Sequence, residues 1–311
     1  MQKEKIKTQS NNLFDVIIIG GGPAGLNAAV VLGRCNRKVL LFDHGKQRNR
    51  YSHGMHNYLT RDDITPTKFL QISKNELRKY GVKVLRAEVK HAKKDEDGNF
   101  VIMDLKEKTY YSKKLILATG LTDNLPEIKG INKFYGKSIY HCPYCDGWEN
   151  NHKTIGVYSK SRNGVDVALT LTAWSSTITL YTDGKKYLTK KDKDLLAKKS
   201  INVINEPIDS FEGKGSELKN IVFANGDKSF CEALFFSNGY SVQCHLVESL
   251  GCKVNENNIA ITNKSQQTNI TGLYAAGDIS KDVHFVVVAA AEGAKAAVYI
   301  NKELMEEEIK F

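Results

Sequence analysis

The sequence predicts an α/β protein in which two parallel-sheet units share one chain. One observation is the run Phe14-Asp15-Val16-Ile17-Ile18-Ile19, followed at once by Gly20-Gly21-Gly22-Pro23-Ala24-Gly25 and by apolar residues at helical density from Leu26 to Leu32. Short continuous apolar runs rich in β-branched residues read as buried parallel strands. A second is that the same strand, loop, helix, strand order partly recurs over residues 153–183. The third is size. A chain of 311 residues, 41% hydrophobic and 26% charged, is long for one domain and comfortable for two.

The first unit carries a strand, a glycine loop and a helix in the context required for the G-x-G-x-x-G dinucleotide fingerprint. Gly20 permits the tight turn, Gly22 lets backbone N–H groups approach a pyrophosphate, and Gly25 lets the helix pack close to the strand. Pro23 and Ala24 complete the loop, and the phosphate is expected on the helix N-terminus. A second strand, Lys38 to Phe42, ends in Asp43, 18 positions after Gly25, where the fingerprint wants a carboxylate for ribose hydroxyls. Residues 44–63 read as an exposed polar loop whose histidines lie at the surface, although His56-Asn57 can line a cofactor edge. Thr65-Pro66 starts a helix that runs to about Tyr80, with Gly81 as the stop. Val82 to Val89 and Phe100 to Leu105 read as strands of a small antiparallel β-meander around the turn Asp95-Glu96-Asp97-Gly98. Lys114 to Leu117 is another buried strand, and Ala118-Thr119-Gly120 at its end leaves room for a cofactor.

The stretch His141-Cys142-Pro143-Tyr144-Cys145-Asp146-Gly147-Trp148 carries the chemistry. Two cysteines three positions apart read as redox or metal before structural staple. Half of a zinc site is the competing reading, but it needs two more ligands. Cys35, Cys231, Cys244 and Cys252 form no second C-x-x-C, so no metal is expected and all four read as buried small apolar residues. Asp146 directly follows the pair as a proton donor for a thiolate that must be made and unmade. His141 either tunes Cys142 or packs.

After this segment the first pattern repeats in damaged form. Lys153 to Tyr158 is a strand, Ser159 to Gly164 sits where the glycine loop belongs, Val165 to Trp174 is helical, and Thr177 to Tyr181 is a strand ending near Asp183. Ser159 and Ser161 replace the first two fingerprint glycines, and only Gly164 remains. A serine Cβ makes positive φ and close backbone approach more costly. Lys185 and Lys186 suit a 2′-phosphate, whereas Asp183 suits a free ribose, so NADPH, NADH and no nicotinamide all stay open. Ala233 to Gly239 closes the second unit. Residues 269–278 read as a strand ending in Gly277-Asp278, with the carboxylate aimed at a cofactor hydroxyl. Ala289 to Lys302 is a small-residue helix, and residues 303–311 read as a frayed charged end.

No apolar run approaches the roughly 18–20 residues that span a bilayer. The polar start lacks the apolar core of a secretory signal, residues 1–12 read as a disordered lead, and the cytoplasm is the expected compartment. The net charge of +10 comes from dispersed lysines, which argues against a nucleic-acid surface and leaves an acidic protein partner open.

Gly20 to Gly25, Ala118-Thr119-Gly120, Cys142 to Gly147 and Tyr274-Ala275-Ala276-Gly277-Asp278, in that order, resemble the low-molecular-weight thioredoxin reductases and their relatives over about residues 13–302. The resemblance implies two Rossmann-like domains in three layers. A discontinuous FAD-binding domain spans 13–123 and 246–311, and a nicotinamide-type domain at 124–245, carrying the C-x-x-C, is inserted between its halves. It implies FAD, a homodimer, Cys145 facing the flavin, Cys142 attacking an external disulfide, Asp146 as acid–base, and Asp278 on the ribityl chain.

The departures are specific. They include Ser159 to Gly164, Thr182 to Lys186 in place of a basic motif, Phe285-Val286 in place of Arg-Gln, and Val242-Gln243 in place of Pro-Asn. Pro143-Tyr144 and Trp148-Glu149 resemble a side branch that oxidises small-molecule dithiols with oxygen, and another branch takes electrons from ferredoxin. The leading expectation is an enzyme moving electrons from NADPH or NADH through FAD and Cys142/Cys145 to a thioredoxin-like protein or a small-molecule disulfide. The alternatives are a dithiol oxidase, a ferredoxin-dependent reductase and a non-catalytic flavin-binding redox sensor.

Overall fold

Val16, Ile17, Ile18 and Ile19 are all buried, which requires cover on both faces of their strand. The computed structural model, described over residues 13–242, 245–280 and 283–309, supplies that cover. The expectations for residues 1–12 and for Cys244 lie outside the described residues. The chain forms two compact units: Met1–Arg48 with Thr67–Thr122 and Ser241–Phe311, and Asn49–Pro66 with Asp123–Tyr240.

In the first unit, β1 (Leu13–Ile19), α1 (Pro23–Arg34), β2 (Val39–Phe42), α2 (Pro66–Arg78) and β3 (Lys83–Leu85) are followed by β4 (Val89–Lys94), β5 (Phe100–Asp104) and β6 (Thr109–Leu117). The sheet order is β3-β2-β1-β6-β5-β4. β1 pairs in parallel with β2 and β6, whereas β4, β5 and the first half of β6 are antiparallel. This differs from the expected division, with the meander on 82–89 and 100–105 and a separate buried strand from Lys114. One nine-residue strand does both jobs because residues 109–112 of β6 pair with β5 while its last three residues pair with a strand from the far end of the chain.

After Asn49–Pro66, the second unit continues from the boundary strand β7 (Thr122–Asp123) into α3 (Ile131–Phe134), β8 (Ile139–Tyr140) and α4 (Pro143–Asp146). Then come β9 (Ile155–Tyr158), α5 (Asn163–Leu171), β10 (Ile178–Tyr181), α6 (Lys190–Lys198) and β11 (Asn202–Ile204). Its main sheet, β11-β10-β9-β15-β8, is wholly parallel and includes β15 (Ala233–Phe236). Residues 187–232, which carry no motif, also supply the antiparallel sheet of β12 (Ile208–Lys214), β13 (Glu217–Phe223) and β14 (Lys228–Phe230). β16 (Tyr240–Ser241) pairs with β7 where the chain passes from unit to unit.

The remaining elements are α7 (Leu246–Ser249), β17 (Leu273–Ala275) and α8 (Val286–Ile309). β17 adds to the first unit's sheet beside β6. Alternation along β1 then sorts the core. Val16 and Ile18 pack with α1 and α8 residues such as Leu32, Ala296 and Ile300. Ile17 and Ile19 pack with Phe100, Ile102 and Leu246. Helices, sheet and a meander-covered face make three layers.

The expected frayed end is a correction. α8 continues to Ile309 because buried Lys114 pairs with Glu303 (3.1 Å) and Glu307 (2.6 Å), and Arg37 pairs with Glu308. Among the described residues no helix is long and apolar enough to cross a membrane.

α8 crosses α1 at its glycine. A Cβ on Gly293 would lie 1.9 Å from the Ala24 carbonyl oxygen, a backbone atom that cannot turn aside. Gly293→Ala is therefore expected to destabilise the first unit by about 1–3 kcal/mol, the usual cost of overpacking, seen as a lower urea midpoint.

Candidate functional site

Parallel sheets leave a crevice where successive connections depart to opposite sides, at the carboxyl ends of the strands. In the first unit that point lies between β1 and β6, with β17 beside β6. It brings together residues far apart in sequence. Gly20 has φ +119°, and a Cβ there would lie 2.0 Å from the Ala118 carbonyl oxygen. A Cβ on Gly25 would lie 1.9 Å from the Gly20 oxygen, and one on Gly277 would lie 3.0 Å from the Ala24 Cβ. Gly22 is different: a Cβ there meets nothing within 4 Å, and no side chain caps α1, which opens with Pro23. Open space over an uncapped helix start suits a pyrophosphate. The Thr119 Oγ1 is buried with no hydrogen-bond partner, an orphan that a ligand would satisfy. These features fit a flavin dinucleotide.

The two expected carboxylates are already engaged. Buried Asp43 accepts from the Gly45 N–H (2.9 Å), Gln47 Nε2 (2.9 Å) and Lys74. Asp278 accepts from Arg48 at 3.0 Å, and the same Arg48 nitrogen lies 3.1 Å from His284 Nδ1. Below the Gly277 turn, buried Glu292 accepts from the Gly277 N–H at 2.8 Å. Neither Arg48 nor Lys74 stands out in the sequence as a site residue, because their partners lie 230 and 31 positions away.

In the second unit the redox pair is a formed disulfide, with Cα atoms 5.3 Å apart. Cys142 caps α4, and its sulfur accepts the Cys145 N–H at 3.1 Å. Pro143 at the first helical position makes this tight turn favourable. The sulfurs are bonded to each other, and no group of three metal-binding side chains occurs among the described residues. Burial pushes the Asp146 carboxyl up to about 7, against a lowering by His56 and with a further rise from Glu149. At that value the carboxyl is partly protonated near neutral pH. His141 Nδ1 lies 3.6 Å from the carboxylate of buried Asp123, which also accepts from the Tyr135 hydroxyl at 2.6 Å.

Asn57, expected at a cofactor edge, donates from Nδ2 to the Tyr144 carbonyl at 2.9 Å, inside the C-x-x-C turn. The 44–63 loop is not wholly exposed. Met55 is 5% exposed and bridges to Ile64, and the His56 side chain is 14% exposed. Cys231 and Cys252 are buried as expected; Cys35 is exposed at the C-cap of α1, where the helix ends at the surface.

The second glycine-loop equivalent is closed by its own side chains. Ser159 is fully buried; its hydroxyl donates to the Ser161 carbonyl (2.9 Å) and accepts the Ser161 N–H (3.2 Å). A Cβ on Gly164 would lie 2.5 Å from the Ser159 Cβ, so the remaining glycine makes room for the serine. Asp183 is bound by Lys160 (2.9 Å), the Tyr158 hydroxyl (3.0 Å) and the Ile208 N–H (2.8 Å). Burial pushes its carboxyl up, but these three partners outweigh it and hold it below the ordinary range. Lys185 and Lys186 are exposed.

An elevated folded-state Asp146 opposes folding once the unfolded chain, with its ordinary value of 3.8, ionises first. The protonated form costs nothing below pH 3.8, and the penalty is complete above about 7. Asp146→Asn is thus expected to be more stable than wild type by a margin that grows across that window and levels above it, checked by urea midpoints at pH 5 and 8.

Residues 14–293 match the pyridine nucleotide-disulphide oxidoreductase family. A protein named thioredoxin reductase tcpT, from Claviceps purpurea, is 29% identical over 310 residues, covering 95% of this chain and 96% of its own. TrxB from Bacillus anthracis superposes with a TM-score of 0.91 at 32% identity, over 95% of this chain and 99% of that one. HlmI superposes with a TM-score of 0.91 at 31% identity, over 96% and 94%. Fold, redox pair and dinucleotide loop agree with these similarities: the chain belongs to the pyridine nucleotide-disulphide oxidoreductases and is a thioredoxin reductase-like flavoprotein.

Proposed function

We propose that the chain is an FAD-dependent thiol–disulfide oxidoreductase that exchanges electrons with an external disulfide through Cys142 and Cys145. The observation that carries this reading is the Cys142–Cys145 disulfide with a carboxyl poised near neutrality one residue on. Gly20, Gly22, Pro23, Ala24, Gly25, Ala118, Thr119, Gly120, Gly277 and Asp278 would hold FAD in the first unit, with Asp43 at the end of β2. When bound, FAD supplies two-electron exchange with the disulfide. Cys142 as thiolate attacks the external disulfide, Cys145 resolves the mixed disulfide, and Asp146 protonates the departing sulfur. The second unit would take a nicotinamide cofactor beside Ser159, Ser161 and Gly164, with Lys185 and Lys186 favouring NADPH over NADH. The partner would be a thioredoxin-like protein or a small-molecule disulfide, and the working form a cytoplasmic homodimer.

The internal closure of the 159–164 loop favours a second reading. With Asp183 bound to Lys160 and the Ser161 N–H bound to Ser159, nicotinamide binding must break contacts the protein already makes. The flow would then run from a small-molecule dithiol to oxygen, or start from an acidic electron-transfer protein such as ferredoxin.

An anaerobic titration decides between them. Bleaching of the flavin band by NADPH or NADH is expected under the first reading, together with loss of disulfide turnover in Cys145→Ser. Bleaching only by a dithiol or reduced ferredoxin supports the second. A Cys145→Ser variant with unchanged turnover overturns both.

A further inference from the structure

The segment Gly54 to Asp63 carries no motif, yet it is seated on the redox turn. Asn57 donates to the Tyr144 carbonyl between the two cysteines. Asp62 accepts the Asn57 N–H at 3.0 Å, which fixes the tip of the segment. That tip carries His56 inward. Its Nδ1 is buried without a hydrogen-bond partner, and it lies 3.6 Å from both the Asp62 and the Glu149 carboxylates. Glu149 belongs to the single 3₁₀ turn that directly follows α4 and is partly exposed, with 39% of its side chain in contact with solvent. The His56 Nδ1 thus lies between two carboxylates with a hydrogen bond to neither, an arrangement that packing alone leaves unexplained.

We propose that His56 and Glu149 are opposed positioning residues that set the charge of Asp146, and so the pH range over which the redox pair turns over. This deepens the oxidoreductase reading and rests on it. Among the described residues no hydrogen bond or ion pair joins either one to the reacting sulfurs. His56 as imidazolium favours the Asp146 carboxylate, and Glu149 favours its protonated form. The other ionisable groups on these elements include Tyr58, Arg61, Asp62 and Asp63 on the His56 segment, Tyr140 before the redox turn, Tyr144 within it, and Lys153, which donates to Asn150 Oδ1 at 2.9 Å. His141 faces Asp123 instead.

The step being tuned is explicit. The Cys142 thiolate forms a bond to one sulfur of an external disulfide, the external S–S bond breaks, and its electron pair leaves on the second sulfur. Asp146 gives that sulfur a proton and becomes a carboxylate. The Cys145 thiolate then displaces the first sulfur, which takes a proton from water as the Cys142–Cys145 bond re-forms. The protein dithiol is oxidised and the external disulfide becomes two thiols.

The test uses dithiol-reduced holoprotein and 2-hydroxyethyl disulfide. Samples are quenched with N-ethylmaleimide, and remaining protein thiols are counted by intact mass across pH 5–9. Wild type is expected to show a descending limb near neutrality that Asp146→Asn removes. His56→Asn is expected to move the limb up, and Glu149→Gln to move it down, each by about one pH unit. A segment that merely packs would not give shifts of opposite sign. Limbs that stay in place or move together overturn the proposal, as does a limb that survives Asp146→Asn. Opposite shifts without flavin bleaching by any donor would leave the proposal standing and remove the cofactor reading. Glu149→Gln changes a partly exposed side chain, so it reports even if His56→Asn misfolds.

Discussion

Backbone atoms in the first unit approach one another at distances that no Cβ permits. The Gly20, Gly25 and Gly293 positions each meet a carbonyl oxygen within about 2 Å of where a side chain would begin. Those three contacts lock the end of β1 to the end of β6, the start of α1 to β1, and α8 to α1. The crevice at the strand ends exists because these elements come so close. The open space at Gly22 is left over once they have done so.

The second unit solves the same topological problem with side chains. Ser159 fills the turn that a glycine would leave open, and its hydroxyl substitutes for contacts a phosphate would make to backbone N–H groups. Lys160 and Tyr158 then neutralise and bind the carboxylate at the next strand end. The fold survives because strand pairing and the apolar residues of β9, β10 and β15 do not depend on a ligand. A dinucleotide fold can thus keep its sheet and helix while its loop becomes self-sufficient.

Desolvation governs the redox turn. A carboxyl held near neutrality can both give and regain a proton during disulfide exchange, whereas an ordinary carboxylate gives none at pH 7. That property comes from burial around a four-residue helix, onto which a loop 87 positions earlier docks through Asn57.

Much of this was legible in the sequence. Continuous apolar runs and their spacing identified β1, β2, β9 and β10, because burial on both faces leaves no other pattern. The fingerprint glycines and the C-x-x-C were legible because local geometry demands those residue types at those spacings. The tertiary structure decided the rest. It extended α8 to Ile309 through ion pairs to Lys114, divided β6 between two partners, and turned His56 inward beside Glu149. It also showed Asp43, Asp183 and Asp278 already bound by Lys74, Lys160 and Arg48. Patterns of burial are periodic and local, so one chain segment displays them. Charge pairing and desolvation depend on which distant segments meet, and only the folded chain brings those together.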